Sequence, residues 1–198
     1  MAVVTPTSLN GPQPSDEQLL SDCRAGKASA LDTLFQRYRH VAYRVAFRLL
    51  GNEADALDAV QDGFVKVLLH LERFEGRSSF KTWLLRVVSN ASPDFGRQRR
   101  RREQLSKDEL QVDAERESVQ DEDSPCREIE CRETRGLLNQ ALLELPEAQR
   151  RTFVLHVDGE LSYREIAAVL RISVGTVMSR LFYARRKLRA LLSERVTA

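Results

Sequence analysis

From Glu103 to Glu133 the chain carries roughly three acidic residues for each basic one and few apolar residues. A stretch of that composition cannot bury enough apolar surface to offset the entropy of ordering, so it reads as a linker. It divides the 198 residues into two parts, each of which needs a core. Both flanking parts are basic, so the formal net charge of +2 conceals two basic modules joined by an acidic strap. Segregated charge of this kind points to a polyanionic partner.

The flanks share one periodicity. The first fourteen residues, with Pro6, Gly11, Pro12 and Pro14, read as a disordered lead-in. Ser15 and Gln18 form a capping box that opens a helix. After Gly26, apolar residues fall at Leu31, Leu34, Phe35, Tyr38, Val41, Ala42, Val45, Leu49 and Leu50, closed by Gly51. Asn52 caps the next helix, whose buried stripe is read as Leu57, Val60, Phe64, Val67, Leu68 and Leu71, with Asp55, Asp58, Gln61 and Asp62 outward. Glu75-Gly76-Arg77 makes a loop. A further helix begins near Ser79 and is expected to bury Phe80, Trp83, Leu84, Val87 and Ala91 on its way to the arginine run at 97–102.

Helical periodicity resumes at Leu137, Leu138, Ala141, Leu142 and Leu145; Pro146 opens another helix, and Gly159 follows Phe153, Val154 and Val157 as its stop. No stretch alternates as a strand would. The expected fold is all-α: a lead-in (1–14), a first bundle (15–102), a flexible acidic linker (103–133) and a second bundle (134–195).

Several function classes are excluded. No run of about 18 apolar residues would span a membrane, and the N-terminus lacks the basic-then-apolar pattern of a secretory signal, which places the chain in the cytoplasm. Cys23, Cys126 and Cys131 form no disulfide framework, and His40, His70 and His156 are scattered, so no metal or cofactor is expected. Asp55, Asp58 and Asp62 share a helix face, but no nucleophile or basic group accompanies them, which weighs against a metal-dependent nuclease.

The sharpest local signal lies in the last quarter. Ser162 and Glu165 form a second capping box opening a short helix with Ile166, Ala167 and Leu170 inward. Arg171-Ile172-Ser173 makes a tight turn. The next helix buries Val177, Leu181, Ala184, Leu188 and Leu191 and shows Thr176, Ser179, Arg180, Tyr183, Arg186 and Lys187. A short capped helix, a three-residue turn and a longer helix with a polar, basic face describe a helix-turn-helix. The major groove admits one such helix, polar side chains near its start reach base edges, and basic ones hold phosphates. The plainer reading is a helical hairpin with a solvated face. The arginine run would neutralise several phosphates and make binding salt-dependent. Phe80 and Trp83 read as core, whereas Phe74, beside the loop, could stack on an unpaired base.

Asp55 to Arg97, DALDAVQDGFVKVLLHLERFEGRSSFKTWLLRVVSNASPDFGR, resembles region two of the extracytoplasmic-function (ECF) group of sigma-70 family sigma factors. From Leu142, LLELPEAQRRTFVLHVDGELSYREIAAVLRISVGTVMSRLFYARRKL resembles their region four. The likeness covers about 170 residues in the right order. It implies a factor that binds bacterial core RNA polymerase, directs initiation at promoter DNA and leaves the chemistry to the polymerase, with room for an anti-sigma factor. By motif position, polymerase docking falls to Asp58, Gln61, Asp62 and Phe64. The flipped minus-ten base falls near Lys66, His70, Phe74 and Asn90, with Arg77, Ser78 and Ser79 in the reading loop. Phosphates fall to Lys81, Arg97, Arg99 and Arg100. Minus-thirty-five contacts fall to Thr176, Met178, Ser179, Arg180, Phe182, Tyr183 and Arg186.

The chain departs from the family pattern at three places. Pro93 should kink or break its helix. Met178 and Tyr183 stand where basic residues are common, which loses bidentate guanine contacts and implies an unusual minus-thirty-five sequence. Arg171 replaces a frequent turn glycine, so the turn avoids a positive φ or is strained. A stand-alone helix-turn-helix regulator would explain residues 160–192 but leave the Asp55–Asp62 stripe without purpose. An adaptor binding only protein would leave the arginine run unused.

Overall fold

The structure is a computed structural model and describes residues 14–91 and 136–196; the lead-in to residue 13, Pro93, the arginine run and the acidic linker lie outside the described residues. Every described element is helical, and no strand occurs among them.

Residues 14–37 form one compact unit. Helix α1 (Asp16–Arg24) begins at the expected capping box: Ser15 Oγ accepts from the Gln18 amide at 3.2 Å, and Gln18 Oε1 accepts from the Ser15 amide at 3.0 Å. Gly26 ends its connection at φ +79°, a conformation glycine reaches without a Cβ clash. The Arg37 guanidinium ties the unit together, donating to the Asp16 carboxylate and the Pro14 carbonyl.

The described residues from Tyr38 onward form a second unit. Helix α2 (Ala28–Leu50) closes at Gly51, φ +78°. Helix α3 (Glu53–Leu69) is capped by Asn52, whose Oδ1 accepts from the Asp55 amide at 2.9 Å. A 3₁₀ turn (Leu71–Arg73) and a loop through Gly76 at φ +70° lead to α4, described over 80–91. Then follow α5 (136–143), α6 (Glu147–Val157), α7 (Tyr163–Leu170) and α8 (Val174–Val196).

Ala141, Leu142, Leu155, Ile166, Leu181 and Leu188 build the C-terminal core, and that core continues into Val45 and Leu49 of α2 and Leu85 of α4. The two bundles therefore share one apolar cluster. Packing is tight where α3 crosses α4: a Cβ on Gly63 would lie 2.6 Å from the Val88 Cγ2 methyl. Among the described residues no single helix is long and apolar enough to cross a membrane.

The buried stripes differ from expectation in detail. Leu57 is 53% exposed, because α3 turns Ala56, Ala59, Val60 and Gly63 inward instead. Along α4 the fully buried residues are Leu84, Leu85, Val88 and Ser89, while Trp83 and Val87 are only half-buried. Val157 is exposed at the end of α6.

Candidate nucleic-acid interface

The end of α3, the loop after it and one side of α4 enclose an open cleft of about 480 Å³. Lys66, His70, Phe74, Arg77 and Ser78, all expected around the minus-ten base, line it together. So do Arg73 and Glu75, together with Trp83 and Val87, which the sequence pattern placed in the core. Phe74 and Trp83 stack with centroids 4.8 Å apart at 22°, and Phe80 meets Trp83 edge-on at 6.2 Å. The result is an aromatic wall under a rim of Lys66, Arg73 and Arg77. Such a wall offers a π-face to an unstacked base while the rim neutralises its phosphates. Trp83 was legible as a partner of Phe74 only through the fold, since the loop between them sets their distance.

The other expected minus-ten residues lie apart from the cleft. Ser79 caps α4: its Oγ accepts from the Thr82 amide at 3.1 Å and shares a hydrogen bond with the Thr82 hydroxyl at 2.8 Å. Thr82 in turn donates to Glu165 Oε1 at 2.8 Å. The Lys81 ammonium donates to Glu160 Oε2 at 2.9 Å, and Asn90 Oδ1 accepts from Arg151 Nη2 at 2.8 Å. Arg97, Arg99 and Arg100 lie outside the described residues.

On the outer face of α3, Asp58, Gln61 and Asp62 are exposed as expected. Phe64 is not: its side chain is 5% exposed and belongs to the core. Leu57, Val65 and Leu69, at 53%, 48% and 75% exposure, take its place on the surface. This face therefore combines carboxylates with bare apolar side chains, a composition suited to a protein partner. Asp62 forms an exposed i,i+4 ion pair with Lys66 at 3.8 Å, which links the face to the cleft rim.

Helices α7 and α8 cross at 102°, within the range of helix-turn-helix units. Both expected caps are present. Ser162 Oγ accepts from the Glu165 amide at 3.3 Å while Glu165 Oε2 accepts from the Ser162 amide at 2.9 Å, and Ser173 Oγ accepts from the Thr176 amide at 3.0 Å. The Ser162 hydrogen bonds, outweighing partial burial, hold the Glu165 carboxyl below the ordinary glutamate range. Arg171 closes α7 at φ +54°, so the turn is strained rather than avoiding a positive φ.

Met178, Ser179, Phe182, Tyr183 and Arg186 are exposed on α8, with Thr176 and Arg180 half-buried beside them. The Arg186 guanidinium lies over the Tyr183 ring, 5.4 Å from its centroid, and Phe182 meets that ring edge-on, also at 5.4 Å. Arg180 shares a small polar recess with Arg151, whose guanidinium value is lowered by burial against the opposing pull of Glu147.

Residues 34–102 match the family model for sigma-70 region 2, and residues 135–188 match that for sigma-70 region 4. The chain belongs to the sigma-70 family. Within it, the chain is an ECF RNA polymerase sigma factor. It is 34% identical over 177 residues to the RNA polymerase sigma-H factor of Pseudomonas aeruginosa, covering 87% of this chain and 91% of that one. Against the ECF RNA polymerase sigma-E factor of Haemophilus influenzae it is 32% identical, covering 87% of this chain and 93% of that one.

Among solved structures, CnrH in complex with the cytosolic domain of CnrY superposes with a TM-score of 0.67 at 26% identity, covering 91% of this chain and 99% of that one. The sigma factor RpoE of Bartonella quintana, in complex with the anti-sigma factor NepR, gives 0.64 at 25% identity, covering 82% and 96%. Membership removes the stand-alone regulator as a reading. The α3 face and the cleft of this sigma factor fall inside the region-two match, and every expected minus-thirty-five residue falls inside the region-four match.

Proposed function

We propose that this sigma factor docks on core RNA polymerase with the exposed face of α3, captures a flipped minus-ten base in the cleft, and reads the minus-thirty-five element with α8. The observation that carries the reading is the convergence of Lys66, His70, Phe74, Arg77 and Ser78 on one cleft backed by the stacked Phe74–Trp83 pair. Aromatic faces beside cations hold a single-stranded base without demanding a fixed sequence. The docking set is Asp58, Gln61 and Asp62 with Leu57, Val65 and Leu69; Phe64 supports it from the core.

The chain performs no bond chemistry of its own in this reading. Nucleotides and catalytic metal belong to the polymerase, and the site of action is the cytoplasm. An anti-sigma factor, of the kind in complex with the Bartonella protein, is a further partner in this reading.

Titration of the labelled chain with core polymerase tests the docking half. One-to-one binding that Asp62→Arg weakens at least tenfold, with unchanged thermal unfolding, is the expected result. Equal affinity of the variant would remove α3 from the interface. For the promoter half, Trp83→Ala should reduce opening of a minus-ten duplex by the assembled holoenzyme while leaving core binding intact.

A further inference from the structure

The outer face of α8 carries an apolar ridge. Val174, Met178 and Phe182 are 40%, 56% and 60% exposed, and their i, i+4, i+8 spacing places them in line along the first half of the helix. That half starts at the Ser173 cap, directly after the 102° crossing. In a helix-turn-helix it is the end that enters the major groove.

The segment that carries the ridge holds only positive charge along its own length. Between Arg171 and Ser193 the chain has six cations (Arg171, Arg180, Arg185, Arg186, Lys187 and Arg189) and no carboxylate. An apolar strip on a helix whose own charges are all positive up to Ser193 complements a surface that presents apolar groups between two rows of phosphates. In duplex DNA the major groove does so where thymine places its C5-methyl. The Tyr183 ring meets Phe182 edge-on and has the Arg186 guanidinium over it.

We infer that Met178 and Phe182, with Val174 beside them, read thymine methyl groups, so that the minus-thirty-five element of this factor's promoters is defined by A·T pairs. The inference rests on the region-four reading above and deepens it. Four residues of helix rise about 6 Å, close to two base pairs at about 3.4 Å each. The two decisive thymines therefore lie about two pairs apart. The hydrophobic contribution of one methyl corresponds to about a fourfold change in affinity.

The test uses holoenzyme assembled from the full chain and core polymerase. Duplexes randomised over the upstream element are selected, and each thymine of the winning sequence is then replaced by deoxyuridine, which keeps the pairing and lacks only the methyl. Two replacements about two pairs apart should each weaken binding about fourfold. In holoenzyme carrying Met178→Ala and Phe182→Ala the same replacements should make no difference.

Full binding to the uridine-substituted element would overturn the inference while leaving region-four recognition intact. So would an unchanged selected sequence with the double variant, which would leave the ridge to a protein partner. Failure to enrich any upstream sequence would overturn the region-four reading itself.

Discussion

Arg171 holds φ +54° and ψ +48° at the end of α7, in the left-handed region where a Cβ crowds the following carbonyl. The strain is about 1–2 kcal/mol, part of which a glycine would return through its freer unfolded chain. Arg171→Gly should raise stability by about 1 kcal/mol. The check is urea unfolding of the purified chain, with a higher midpoint at unchanged slope. The sequence showed a tight turn here and left open the sign of φ, which depends on how α8 leaves it. At Phe64 two signals competed. The hydrophobic stripe placed it inward, while motif resemblance placed it on the docking face. At about 100° per residue, Phe64 lies roughly 160° round the helix from Asp62, so both cannot face out. Burial decides for the stripe.

Helices were the most legible level, because caps and periodicity agree along the described chain. Ser15, Asn52, Ser162 and Ser173 each cap where the residue pattern places them. Less legible was which side of a helix faces the closest neighbour. On α3 the inward side includes the small residues Ala56, Ala59 and Gly63, of which Gly63 meets Val88 of α4, and Leu57 is left outside. Small residues carry little periodic signal, yet they set how near two backbones come. Gly63→Ala measures that distance. Alanine favours the helix by up to about 1 kcal/mol. Its methyl, however, would sit 2.6 Å from Val88 Cγ2, a fully buried β-branched group whose χ1 in a helix strongly prefers one rotamer. Overpacking of this kind costs about 1–3 kcal/mol, so the variant should unfold at lower temperature despite its better propensity. A higher melting temperature would mean that α3 and α4 separate freely.

Nothing in the sequence disclosed which surfaces of the two bundles meet. The contacts join residues 83, 79 and 61 positions apart: Thr82 to Glu165, Lys81 to Glu160, and Asn90 to Arg151. Their participants read locally as caps and exposed charges, and only the tertiary docking of α4 against α6 and α7 pairs them. Lys81 and Asn90 are thus engaged by the second bundle, and in the proposed promoter complex they exchange these partners for DNA. The carboxylates give the contact a pH signature. Glu165 is held low chiefly by its Ser162 hydrogen bonds and also by Thr82 and Lys81; Glu160 is held low by its bond to Lys81.

A depressed carboxylate contributes stability that is present above the ordinary glutamate range and is lost as pH falls through the lowered value. Asp158 runs the other way: burial raises its carboxyl beyond what Arg48 and Arg44 restore, so its contribution is present at low pH and lost as pH rises through the raised value. Comparing wild type with Glu165→Gln cancels Asp158, which both proteins share. At pH 7 the wild type should be more stable by on the order of 1 kcal/mol, the loss of one charge-assisted bond set. The gap should narrow steadily as pH falls below about 4.3, the unperturbed glutamate value. Urea unfolding at a series of pH values reads this directly. A gap that stayed constant with pH would mean that the shape of the side chain, and not the charge on Glu165, holds α7 to α4.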